Sequence, residues 1–313
     1  MPELFMDPEL EPLVRAMPVP DYDDVTIHQI RDMTAPLFES YVGSEVVTRT
    51  DHLIGPERAV TLRVHRPVGR DTDLPCMVWL HGGGFVTGSH LMDGPRLDGL
   101  AERLDAVMIS VDYRLSPEVP FPGPLEDCYA ALQWVFDHAR SLAIDTDRIG
   151  IGGLSAGGAL AAAVALLARD RGGVVPGFQL LEAPMLDDRL RSDSIRRDDL
   201  QIWSQESNRY GWQAYLGDLY GSDEVSFHAA PARCLDLSGL PPTMVIVGTA
   251  DGLRDEDIAY ASQLVGAGVP TELHVLPGIP HGGNMFVGTR AAAQWEQLVD
   301  DWLANRFRAV ATH

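Results

Sequence analysis

Gly153-Leu154-Ser155-Ala156-Gly157 sets a serine among small residues, where a β-type run ends and an alanine-rich helical run begins. A serine on such a strand-to-helix turn is held in a strained backbone conformation that pushes Oγ outward. Gly153, Gly157 and Gly158 give the helix room to double back on the strand. The start of a helix also brings free amide N–H groups and the positive end of its dipole beside the hydroxyl. A phosphate cradle is the competing reading of so many glycines. It would need G-x-x-x-x-G-K-[ST] or G-x-G-x-x-G after a strand. No lysine follows here, and the glycine spacing does not match.

A serine hydroxyl is a poor nucleophile alone; it needs a base, an acid to orient that base, and donors for an oxyanion. His81-Gly82-Gly83-Gly84-Phe85 directly follows a strand pattern upstream of the serine. Glycines let backbone approach a substrate closely and aim N–H groups at one point. The expected donors are Gly83 and Gly84, with Ala156 as the third. Asp251 ends the strand pattern "MVIVGTAD", where a carboxylate reaches the strand ends. Asp255 and Asp257 compete for the role, but they fall at the start of the next helix, where acidic residues commonly serve the dipole. His281 lies in the Gly/Pro-rich loop "LPGIPHGGNMF" and is the expected base; His274 sits inside the preceding strand pattern and reads as structural. The chain order Ser155, Asp251, His281 is that of α/β hydrolases, not that of chymotrypsin or subtilisin.

Such residues need a frame to bring them together. Strand patterns occupy 59–68, 76–82, 106–113, 148–154, 177–184, 243–250 and 271–278. Helical patterns lie around 124–140, 156–170, 256–267 and 289–306; the last places Ala291, Trp295, Leu298 and Trp302 on one face. This alternation predicts one α/β domain over 1–313, a mostly parallel sheet flanked by helices, with ligands at the carboxyl ends of the strands. Two segments break the rhythm. Residues 1–45 carry an amphipathic pattern (Ile30, Met33, Leu37, Tyr41), and 187–226 are charged and then aromatic. They are expected to pair as a cap. The mixed charges at 187–199 read as a solvated helix face.

A net charge of -21 argues against nucleic acid or an anionic membrane surface as partner. Three scattered cysteines (Cys76, Cys128, Cys234) with no metal-type spacing imply reduced thiols and a cytoplasmic home. The N-terminus lacks the basic and apolar regions of a secretion signal. The apolar run 156–168 is too short to span a bilayer. The chemistry calls for no cofactor and no metal, only a small acyl substrate and water.

Taken together, the chain resembles the hormone-sensitive lipase-like carboxylesterases (bacterial esterase family IV, the α/β hydrolase fold-3 group). The resemblance runs from about residue 25 to the C-terminus. It rests on "HGGGF" (81–85), "DYRLSPEVPFPGPLED" (112–127), "GGLSAGG" (152–158), "APMLDDR" (183–189), "DGLRDE" (251–256) and "PHGGNMF" (280–286), in family order. It implies an α/β-hydrolase fold with an eight-stranded sheet, a helical cap, and hydrolysis of short-to-medium acyl esters. It implies the same triad and oxyanion residues, and raises a homodimer as an assembly. Leu154, Val119, Gly252 and Glu182 depart from the family's usual residues. Glu182, in a strand that should be buried, requires a partner or a raised pKa. The alternative activities are other acyl cleavages (lactonase, thioesterase, natural-product deacetylase) or, from another class, a non-catalytic ligand receptor. The six cap aromatics Phe38, Tyr41, Trp203, Tyr210, Trp212 and Tyr215 would shape the pocket or pack within the cap.

Overall fold

The computed structural model describes residues 3–17, 22–55, 60–70 and 72–308. Ala59, at the start of one strand pattern, and residues 1, 2 and 18–21 of the N-terminal segment lie outside these. Eight strands form one sheet: β1 (Val47–Ile54), β2 (Val60–Pro67), β3 (Leu74–Leu80), β4 (Val107–Asp112), β5 (Ile144–Leu154), β6 (Gln179–Glu182), β7 (Thr243–Gly248) and β8 (Thr271–Leu276). Their spatial order is β1-β2-β4-β3-β5-β6-β7-β8. β2 pairs antiparallel with β1 and β4, and every other pair is parallel. The central strands are covered on both faces, so β3, LPCMVWL, is buried throughout.

The helices are α1 (Glu11–Arg15), α2 (Thr26–Glu39), α3 (Gly94–Leu104), α4 (Gly123–His138), α5 (Ala156–Arg171), α6 (Gln205–Leu216), α7 (Arg254–Gly266) and α8 (Arg290–Phe307). One apolar cluster joins α4, α5 and α7 to the sheet; a second joins α1, α3 and α8. Among the described residues, no helix is long and apolar enough to cross a membrane.

Several expectations need correction. β1 was not among the strand patterns. It is a charged edge strand, VTRTDHLI, and an edge exposed to water does not need the apolar alternation that betrays a strand. α3 is not among the helical patterns, because Pro95 and Gly99 interrupt its periodicity, yet Leu97, Leu100 and Ala101 are buried. Residues 187–199 form no helix. Their charges are paired instead: Arg189 pairs with Asp187 at 2.6 Å, and Arg233, from far along the chain, grips the buried Asp188 at 2.7 Å. In α2 the inward face is Ile27, Ile30, Thr34 and Phe38, so of the helix's expected stripe Ile30 faces in, while Met33 is 72% exposed and Leu37 68%.

The turn from β5 to α5 shows why its glycines are small. A Cβ on Gly157 would stand 2.0 Å from the Leu80 carbonyl oxygen and 2.4 Å from that of His81. The helix start therefore lies directly against the end of β3. Alanine would gain about 1 kcal/mol of helix propensity. The clash is with backbone, which cannot step aside. Gly157→Ala is expected to lose about 3 kcal/mol or more net, read as a fall in the urea midpoint at constant m-value.

Candidate active site

Ser155 sits between β5 and α5 with φ 58° and ψ -120°. A non-glycine residue in this region carries about 1–3 kcal/mol of strain, which the surroundings must hold in place. They do so through β6 and the loop after it. Ser155 N donates to the Glu182 carbonyl at 2.8 Å, and Met185 N donates to the Ser155 carbonyl at 3.0 Å.

His281 follows β8 in a loop, and its Nε2 lies 2.9 Å from Ser155 Oγ. Its Nδ1 lies 2.8 Å from Asp251 Oδ2. Asp251 is a carboxylate with only acceptor atoms, which assigns the imidazole proton to Nδ1 and leaves Nε2 as an acceptor facing Oγ. Asp251 Oδ1 also accepts from Leu253 N at 2.9 Å, which fixes the carboxylate plane. All three side chains are buried. The sequence placed them in three separate loops; the parallel strands β5, β7 and β8 bring those loops to one edge of the sheet. A hydroxyl in reach of an imidazole that is itself held by a carboxylate is the arrangement that activates a serine for attack.

Gly83 and Gly84 take positive φ, 112° and 61°. A Cβ on Gly83 would lie 2.3 Å from the Thr87 carbonyl oxygen, so only glycine fits this turn. Among the described residues, no acceptor occupies the N–H of Gly83 or Gly84. Ala156 opens α5, where the first N–H groups have no partner within the helix. His81 stacks on Tyr113 with ring centroids 4.2 Å apart, and its Nδ1 lies 2.8 Å from the Gly82 carbonyl. Burial holds its pKa below the ordinary value, so the ring stays neutral and braces the loop.

The rival acids are placed elsewhere. Asp255 accepts from Ser194 N at 2.8 Å. Glu256 accepts from Leu186 N at 2.7 Å and Asp187 N at 3.1 Å, tying α7 to the loop after β6. Asp257 is fully buried and neither carboxyl oxygen has a partner among the described residues. Burial, then Glu256 and Asp251, push its pKa well above the ordinary value. A raised native pKa gives stability that is complete below the unfolded value and is lost as pH rises through the native one. Asp257→Asn removes that loss. The melting temperature of the variant relative to the wild type is expected to climb from acid to alkaline pH.

Glu182 has the partners its burial demanded. Arg96 donates to Oε1 at 2.7 Å and Trp295 Nε1 to Oε2 at 2.9 Å. Burial raises its carboxyl to about 7, and the charge of Arg96 opposes that rise. His274 is half-buried on β8, 3.4 Å from Glu272, as a structural residue would be.

A cavity of about 300 Å³ opens onto Ser155 and His281. Its walls come from the glycine loop, from α2 (Ile30, Thr34, Phe38) and from Tyr22, Ile202, Trp203 and Met285. Leu154, whose identity no motif required, is also part of this wall. Of the six aromatics expected in a cap, Phe38 and Trp203 line the cavity and the other four do not. Tyr41 donates to Asp98 at 2.8 Å beside a neighbouring cavity, and Tyr210 donates to Asp24 at 3.1 Å. Trp212 and Tyr215 are buried and pack on Phe85, at 5.2 and 4.1 Å between centroids.

The sheet order, the strained serine after β5 and the histidine after β8 define an α/β hydrolase, and residues 77–285 match the family model described as alpha/beta hydrolase fold. The chain belongs to the hormone-sensitive lipase-like carboxylesterases within that fold, and it is a carboxylic ester hydrolase. It is 34% identical to Esterase LipI of Mycobacterium tuberculosis, across 92% of this chain and 91% of that one. It is 32% identical to an arylesterase of Saccharolobus solfataricus, across 97% and 99% of the two chains. Among solved structures, a bacterial heroin esterase superposes with a TM-score of 0.93 at 36% identity, covering 97% of this chain and 99% of that one.

Proposed function

We propose that the protein hydrolyses short-to-medium acyl esters by a two-step acyl transfer through Ser155, His281 and Asp251. The carrying observation is the unbroken line of contacts from Asp251 to His281 to Ser155 Oγ, at 2.8 and 2.9 Å, opening on a small apolar cavity. Ser155 Oγ attacks the ester carbonyl carbon while His281 Nε2 takes its proton. Asp251 holds the Nδ1 tautomer and stabilises the imidazolium. The carbonyl π electrons move onto oxygen, which the N–H groups of Gly83, Gly84 and Ala156 receive; each donor is worth about 3 kcal/mol in the transition state. The C–O bond to the alcohol then breaks, and His281 gives the proton to the departing oxygen. Water, deprotonated by His281, then attacks the acyl-serine carbonyl; the bond to Ser155 Oγ breaks, His281 returns the proton to Oγ, and the acid is released.

Segments of about 1–45 and 187–226 act as the cap in this reading. What supports it is contact between them: Tyr22 and Trp203, both in the cavity wall, meet edge-on at 5.4 Å, and Leu4 N donates to Asp199 at 3.3 Å. A cytoplasmic location is in keeping with Cys76, Cys128 and Cys234, all free and buried.

Assaying p-nitrophenyl esters from acetyl to palmitoyl tests the reading. The expected kcat/KM is highest among the shorter chains and falls steeply toward palmitoyl. Lactone or thioester turnover far above that of every oxoester would favour the other acyl cleavages. No turnover of any acyl compound, with retained binding, would favour a receptor.

A further inference from the structure

We propose that Trp203 sets the upper size of the ester this site accepts, an inference that rests on the esterase reading above. The residue comes from the insert after β6, yet its indole reaches the reaction centre. A Cβ on Gly84 would stand 2.2 Å from Trp203 Cη2, so the ring edge lies against the backbone of a proposed oxyanion donor. The ring centroid is 6.1 Å from that of His281. Among the described residues, no other cap aromatic makes a ring contact with His281.

The ring is fixed in place. Nε1 donates to the buried Asn208 side chain on α6 at 3.1 Å, and Tyr22 packs on it from the N-terminal segment at 5.4 Å. Ile202, just before it, holds φ at 70°. A β-branched residue in that region is strained, and such strain persists only where neighbours over-determine it. The local chain is bent at a cost, and the bend aims the indole into the cavity. Trp203 is 5% exposed, so it cannot swing out to water without breaking these contacts.

The consequence is a small chamber. Its volume of about 300 Å³ is twice the ~150 Å³ that holds a benzene in an engineered protein cavity. A compact ester fits within that space. A longer chain running along this wall meets a rigid aromatic plane instead of an open channel.

The test measures kcat/KM for p-nitrophenyl esters of increasing acyl length and for alkyl acetates of increasing alcohol length. Wild type, Trp203→Leu and Trp203→Phe are compared. Trp203→Leu is expected to raise the ratio of long to short substrates about tenfold or more in one of the two series, since one methylene in an apolar pocket is worth at least that factor. Trp203→Phe is expected to shift the same ratio in the same direction by less, and serves alone if the leucine variant does not fold. Unchanged ratios in both series, or an equal loss at every length, would overturn the proposal. An active wild type with flat ratios removes the role of Trp203 alone. A wild type without ester turnover removes the esterase reading with it.

Discussion

Ser155→Ala is expected to lower kcat/KM for p-nitrophenyl butyrate about ten-thousand-fold or more while the protein stays folded. The size follows from what is removed. Without Oγ there is no acyl-enzyme, and only the oxyanion donors and the binding cavity remain to help water attack directly. The fold survives because the elbow is held by backbone bonds, from Ser155 N to Glu182 O and from Met185 N to Ser155 O, which alanine keeps. Alanine also keeps the Cβ, so the strain at φ 58° is unchanged. Thermal melting should match the wild type closely. A loss of less than about a hundredfold would remove Ser155 from the role of nucleophile.

Asp251→Asn is expected to cost about ten-thousand-fold in kcat, through the tautomer of a different residue. Asparagine Oδ1 can still accept from Leu253 N, so its amide N takes the place of Oδ2. That N–H₂ donates toward His281 Nδ1, which must then accept. The ring proton moves to Nε2, facing Ser155 Oγ, and the imidazole can no longer take the serine proton. Substrate binding should change little, so the loss falls on kcat rather than KM. Asp255→Asn and Asp257→Asn are the controls, since neither carboxylate bonds to His281. Near-wild-type turnover in both, beside the loss at Asp251, is the expected pattern. A large loss at Asp257 and none at Asp251 would reassign the acid.

Much of this site is legible in the sequence because its parts need particular residue types. Only glycine suits the φ of Gly83 and the backbone approach at Gly157, so motif and geometry coincide there. The buried strands announce themselves as apolar runs for the same reason: both their faces are covered. What depends on side chains meeting across distant segments is not written locally. The edge strand β1 is polar because water covers it. The charges at 187–199 resemble a solvated helix, but the residues that use them include Arg233, far along the chain. Helical periodicity puts Ile30, Met33 and Leu37 on one face of α2, but the face that meets the cavity carries Ile30, Thr34 and Phe38, and Met33 and Leu37 are exposed. Glu182 looked misplaced in a buried strand until Arg96 and Trp295, from two other helices, met it. Leu154 shares that character, since nothing in its own neighbourhood says that it lines the cavity; Trp203 stands in the sequence only as one of six pocket-or-packing aromatics, and the fold singles it out with Phe38.

Two-step hydrolysis requires that one serine of this chain form a covalent acyl-enzyme. Treating the native protein with a fluorophosphonate and mapping the adduct by peptide mass spectrometry tests it most directly. One adduct per chain is expected, on Ser155, with ester turnover falling in proportion to labelling and no adduct in Ser155→Ala. Full inactivation with the adduct on another residue, or undiminished turnover after Ser155 is labelled, would contradict it.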